Sequence, residues 1–170
     1  MSAQKAYIQE VLDTLLKEAA EAAKKKGLRA SPGGIVKGLG FSYETPYIVA
    51  YGLAARGLIN DGRLTEAGRR LIEDVVELAA EIKEYSLFPQ FDGGRLIGAV
   101  LYALYDWLDE YRDSESYLEF VEEVVRRVKR LKETRPEAFK LLAVLLPRIG
   151  YEDGYSPLKL IEALEKEAST

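Results

Sequence analysis

The thirty residues from Leu39 to Gly68 read LGFSYETPYIVAYGLAARGLINDGRLTEAG, and the order of breakers and caps within them decides the fold. Gly40 ends one short helix. Ser42 or Tyr43 lies near the cap of the next, which runs from about Glu44 to Arg56. Pro46 fits there because a first-turn residue has no helical partner for its missing N–H. Gly57 stops that helix, and Leu58-Ile59-Asn60, Asp61-Gly62 and Arg63-Leu64 follow. An Asp-Gly pair between two short apolar runs signals a tight hairpin, since glycine accepts the positive φ of a type I′ turn. Thr65 then caps a helix reaching about Tyr85, with Leu71, Ile72, Val75, Val76, Ala79 and Ile82 at helical spacing.

Working outward, residues 4–26 predict a first helix with Tyr7, Ile8, Val11, Leu12, Leu15, Leu16 and Ala19 on its apolar side. Lys24, Lys25 and Lys26 followed by Gly27 mark its end. Ser31-Pro32 opens a short second helix to about Leu39. On the other side, residues 86–94 (SLFPQFDGG) read as a linker. Helices are expected at about 95–112, 115–133, 136–149 and 157–168, with Pro147 ending or kinking the third of these. The fold class is therefore mainly α. The expected division is a helical module with a minimal hairpin over 1–85, a linker over 86–94 and a four-helix region over 95–170, or one continuous compact body.

The 170 residues contain no cysteine and no histidine. That removes disulfides, thiolate nucleophiles, zinc–sulfur sites and the commonest neutral-pH base. No catalytic residue, cofactor or metal is nominated, and the expectation is a protein that is not an enzyme. The N-terminus lacks a basic segment followed by an apolar run, and Leu96–Tyr105 is too short for a bilayer, which takes about 20 residues. An intracellular, soluble protein with no membrane partner is expected. One asparagine, three glutamines and 31% charged residues match the composition of heat-adapted proteins.

The net charge of −4 hides an asymmetry. Residues 24–70 carry 9 Lys/Arg against 3 Asp/Glu, whereas residues 71–170 carry 13 against 21. The positive excess coincides with the helix-hairpin stretch, where a polyanion would sit.

The succession Thr45-Pro46-Tyr47, Gly57-Leu58-Ile59, Leu64-Thr65-Glu66-Ala67-Gly68 resembles the winged helix-turn-helix superfamily, most closely its PadR-like branch. Fifteen residues separate Ser42 from Gly57, the usual length for that family's recognition helix. The resemblance covers about 40 residues of the chain. It implies a minimal β-hairpin wing and a recognition helix lying in a DNA major groove, and the protein is expected to act as a homodimer. The residues it would commit to DNA are Lys24, Lys25, Lys26, Arg29, Lys37, Tyr43, Thr45, Tyr47, Tyr51, Arg56 and Arg63. In that role the cations neutralise phosphates and the tyrosines face the groove.

Two departures open a second reading. The groove-facing positions Tyr43, Glu44, Tyr47, Ile48, Tyr51 and Gly52 include none of the Arg, Lys, Asn or Gln that read bases bidentately. The wing offers only Arg63. The alternative to a DNA-binding regulator or chromatin-type factor is thus a structural or assembly subunit of a nucleoprotein or viral complex. There Tyr43, Tyr47 and Tyr51 would meet protein, since aromatics are enriched and charge depleted at interface centres.

Other features favour ordinary structural roles. Arg126, Arg127, Lys129, Arg130, Lys132 and Arg135 follow Glu115, Glu119, Glu122 and Glu123 on one helix, a pattern suited to the helix dipole and to i,i+4 pairs. Asp106, Asp109, Glu110 and Asp113 would share one solvated helix face. Gly33-Gly34 and Gly38-Gly40 follow no strand, so they form no phosphate loop. The fifth helix is apolar nearly all round. Together with Phe139, Leu141, Leu142, Val144, Leu145 and Leu146 it exceeds what a short extension covers, which points to a second copy of the chain.

Overall fold

A computed structural model describes residues 3–40, 42–85, 92–151 and 156–167. They form α1 (Ala3–Lys25), α2 (Pro32–Gly38), α3 (Thr45–Ala55), β1 (Ile59–Asn60), β2 (Arg63–Leu64) and α4 (Glu66–Ile82). Then come α5 (Gly93–Tyr105), α6 (Ser114–Thr134), α7 (Pro136–Leu145) and α8 (Pro157–Glu167), with 3-10 turns at Lys83–Tyr85 and Leu146–Tyr151. Among the described residues the protein is mainly helical, with one two-stranded antiparallel hairpin. Among the described residues no helix is long and apolar enough to cross a membrane.

The hairpin pairs Ile59 with Leu64 and Asn60 with Arg63. Its turn residues Asp61 and Gly62 have φ of 50° and 70°, the two positive values a type I′ turn requires. Ser31 and Thr65 cap their helices, their hydroxyl oxygens accepting from Gly34 N (3.0 Å) and Gly68 N (3.1 Å). Pro147 lies in the 3-10 turn that follows α7.

Most of the expected linker, residues 86–91, lies outside the described residues. Its last part is helical. Asp92 caps α5, its carboxylate accepting from Gly94 N at 2.7 Å, and helix begins at Gly93. Asp92 also accepts from Ser31 N at 3.0 Å, and Gly93 N donates to the Arg29 carbonyl at 2.7 Å, so the starts of α2 and α5 are tied together.

These two helices then cross backbone to backbone. A Cβ on Gly38 would stand 2.0 Å from the Arg95 carbonyl oxygen, and one on Gly98 2.2 Å from that of Ile35. Gly34 and Gly38 on α2, with Gly94 and Gly98 on α5, are each four residues apart and line one side of their helix. Gly94, expected to punctuate a linker, is part of the contact surface itself.

One hydrophobic cluster runs through the molecule, from Leu15 on α1 through Ile35, Leu53 and Val75 to Leu101, Val124, Leu142 and Ile161. Residues from Val11 to Ile82 and from Ile97 to Leu164 contribute to this same core. Helix α5 is central: Ile97, Val100, Leu101, Ala103 and Leu104 are completely buried against other parts of the same chain. Of the other residues behind the expected second copy, Phe139, Leu142 and Leu146 are buried within the molecule, Val144 and Leu145 are half-buried and Leu141 stands exposed.

Two further expectations change. Helix α5 stops at Tyr105 and turns carry 106–110, because Asp106, Asp109 and Glu110 oppose the negative end of the helix dipole. Those carboxylates therefore do not share one helix face with Asp113, which instead caps α6 by accepting from Ser116 N at 2.8 Å. The cations of α6 reach other helices as well as their own. Arg126 pairs with Glu123, but Arg127 pairs with Glu165 on α8, and Lys129 and Lys132 with Glu77 and Glu81 on α4. Arg70–Glu122 completes the α4–α6 series, whose rising numbers on both helices show that they run parallel.

Candidate interaction surface

Helix α3 begins where Gly40 brings the chain against Thr45. The Ser42 and Thr45 hydroxyls bond at 2.7 Å, and Thr45 N donates to Ser42 Oγ at 3.3 Å. Thr45 is only 9% exposed, so it braces the entry to α3 and does not belong to the outward face. Ser42 rather than Tyr43 supplies the side-chain bond at this terminus. Val49, Ala50 and Leu53 bury the inner side.

The outer side is apolar and bare. Tyr43, Ile48 and Tyr51 are 85%, 53% and 51% exposed, three of the five large apolar side chains exposed among the described residues. Tyr47 is half-buried and follows Tyr43 closely, their ring centroids 6.0 Å apart. From Thr45 to Ala55 the helix carries no charged residue.

Neighbouring elements fix this stripe on both flanks. On one, the Tyr47 hydroxyl donates to Gln9 Oε1 (3.0 Å), and Gln9 Nε2 donates to Asp13 (2.9 Å), both on α1. A hydrogen bond with Tyr43, then burial, then the charges of Tyr43 and Asp13 hold the Tyr47 phenol above its usual range. The hairpin tip abuts the same part of α1: the Thr14 hydroxyl donates to the Gly62 carbonyl at 3.2 Å, and a Cβ on Gly62 would lie 2.9 Å from Glu10 Oε1.

On the other flank, the Tyr105 hydroxyl donates to the Ile48 carbonyl at 3.4 Å. Its ring lies 2.5 Å from where a Cβ on Gly52 would be, so Gly52 receives Tyr105 rather than an outside group. Burial first, then the charge of Asp109, raises the Tyr105 phenol. Arg56, the C-cap of α3, is ion-paired with Asp109.

The eleven residues expected to meet DNA are therefore dispersed. Tyr43, Tyr47 and Tyr51 share one face. Arg56 borders it with its charge engaged, and Arg63 is exposed on the hairpin. Lys24 and Lys25 end α1 about 16 Å along its axis from Asp13, at 1.5 Å per residue, and Lys26 follows in the turn. There Lys25 and Lys26 line a groove of about 430 Å³ with Glu18, Glu73, Asp74 and Glu77. Arg29 acts on Asp92, and Lys37 is exposed in the last turn of α2. Thr45 is internal.

Sequence reasoning missed Gln9, Glu10, Asp13, Tyr105 and Asp109, which frame the stripe. Nothing local marks them, because tertiary packing of α1 and α5 on α3 brings them there. Among the described residues no group of three or more His, Cys, Asp or Glu is placed to hold a metal.

Compared with protein-family models, with curated proteins and with solved structures, the chain matches none.

Proposed function

We propose that this is a non-enzymatic assembly or adaptor protein that docks other protein through the outward face of α3. The carrying observation is an exposed Tyr43–Tyr47–Ile48–Tyr51 stripe with no cation on its helix and carboxylates around it. Aromatic, charge-poor centres characterise protein interfaces. A duplex seated on the same stripe would bring phosphates beside Glu44, Asp13 and Asp109. The resemblance of residues 39–68, together with a helix–helix–helix–hairpin–helix order, supports reading this half of the chain as a winged helix-turn-helix with a minimal wing. In this proposal that module is turned to protein recognition.

The positive excess over residues 24–70 favours the second reading, a DNA-binding regulator acting through backbone charge. Electrophoretic retardation of a generic duplex at about 50 and 200 mM salt, run beside light scattering, separates the two. Docking predicts no salt-sensitive retardation of duplex, and any association seen in scattering is reduced by Tyr47→Ala with Tyr51→Ala. Affinity that falls steeply with salt and is abolished by Arg56→Glu with Arg63→Glu overturns it in favour of DNA.

A further inference from the structure

We infer that the α3 stripe receives a cationic amphipathic segment of another protein, apolar along one face and flanked by Lys or Arg. The inference rests on the docking reading above and adds the chemistry of the partner. The centre of the surface is apolar, and its edges are acidic on three sides. Asp13 is near enough to Tyr47 to raise its phenol, and Glu10 reaches the turn at Gly62. Across the stripe, Asp106 acts on Tyr105, whose hydroxyl holds the Ile48 carbonyl, while Asp109 is offset by its ion pair with Arg56. Glu44 is exposed at the N-terminal end.

The cations nearby do not cancel this rim. Arg56 and Asp109 offset each other, and Lys17, in the groove with Glu10 and Asp13, and Arg63, next to Gly62, stand against the four carboxylates of Glu10, Asp13, Glu44 and Asp106. A field of this sign repels phosphates and carboxylates and draws in ammonium and guanidinium groups. Exposed tyrosine rings add favourable faces for the same cations. The 11 residues of α3 span about 16 Å, room for the apolar face of a short amphipathic helix. A second copy is disfavoured because two such rims would face each other with like charge.

The test uses the whole chain and a displayed library of amphipathic helical peptides, about 20 residues long, with a fixed apolar stripe. Flanking positions vary among Lys, Arg, Gln, Glu and Asp. The readout is the net charge of those binders whose affinity falls with Tyr47→Ala and Tyr51→Ala, variants first shown by circular dichroism to be folded. The expected set is net positive, and Asp13→Lys with Glu44→Lys weakens it about tenfold or more. A neutral or acidic set overturns the charge assignment and leaves the docking reading standing. A second copy on the face overturns the cationic partner and leaves the docking reading standing; if no binder is sensitive to the tyrosine variants, or duplex DNA occupies the face instead, both fall.

Discussion

The guanidinium of Arg56 closes on the carboxylate of Asp109, joining the C-terminal end of α3 to the turn that follows α5. The pair crosses the boundary that composition alone places near residue 90. It also engages one of the few cations beside the tyrosine stripe. Asp109 is 91% exposed, so solvent screens the pair and its net contribution is small. Asp109→Asn is expected to change the free energy of unfolding by less than about 1 kcal/mol in urea titration. It should also leave duplex DNA unbound, although it frees Arg56. Retardation appearing in this variant alone would show that Asp109 masks a DNA contact.

The crossing of α2 and α5 yields a sharper expectation. At Gly38 and Gly98 the obstructing atoms are backbone carbonyls, which cannot swing aside. Gly38→Ala and Gly98→Ala should each destabilise by about 3 kcal/mol, at the upper end for overpacking. A Cβ on Gly33 of the same helix would meet nothing within 4 Å, so Gly33→Ala should be neutral or stabilise by up to about 1 kcal/mol. Thermal denaturation of the three variants checks the contrast. Equal effects would mean that helix propensity, not the crossing, governs these positions.

Asp74, partly buried on α4, has its carboxyl raised to about 6, first by burial and then by Glu122 and Glu77. The folded state therefore holds a proton that the unfolded chain releases near pH 4, and stability falls as pH rises from about 4 to 6. Asp74→Asn should remove that slope. It should also raise stability at pH 7 by about 1 kcal/mol, a figure already discounted for solvent screening. Urea midpoints for both proteins at several pH values between about 4 and 7 measure it.

Asp92 behaves in the opposite sense. Burial pushes its carboxyl up, but hydrogen bonds from Gly94 and Ser31 outweigh this and hold it below the usual carboxylate range. The unfolded state takes up the proton first, so this contribution is present above about pH 4 and disappears as pH falls through the depressed value. Asp92→Ala should cost about 1–2 kcal/mol at pH 7 and progressively less in acid. Denaturation of Asp92→Ala and the parent at about pH 2.5 and pH 7 tests the sign.

What is legible in the sequence is what neighbouring residues settle among themselves. Asp61-Gly62 announces its turn, and Ser31 and Thr65 announce their caps, because each acts within about four positions. Gly94, read as part of a linker, misleads for the complementary reason, and nothing local marks Gly34, Gly38 or Gly98. A glycine that ends a helix and one that admits another backbone look alike until the partner is known. Lys129 and Lys132 read as serving their own helix, although Glu77 and Glu81 on α4 claim them. Helical spacing anticipates the tyrosine stripe, but its frame of Gln9, Asp13, Tyr105 and Asp109 depends on packing.

The crossing of α2 with α5 also bears on how such a chain could be reused. A fragment ending at Tyr85 would leave Ile35 and the glycine side of α2 uncovered, a sticky apolar strip on a piece too small to reseal it. The segment bearing α3 is thus no portable cassette to be spliced onto unrelated proteins. Whatever meets those tyrosines meets a platform whose keel is contributed by the second half of the polypeptide.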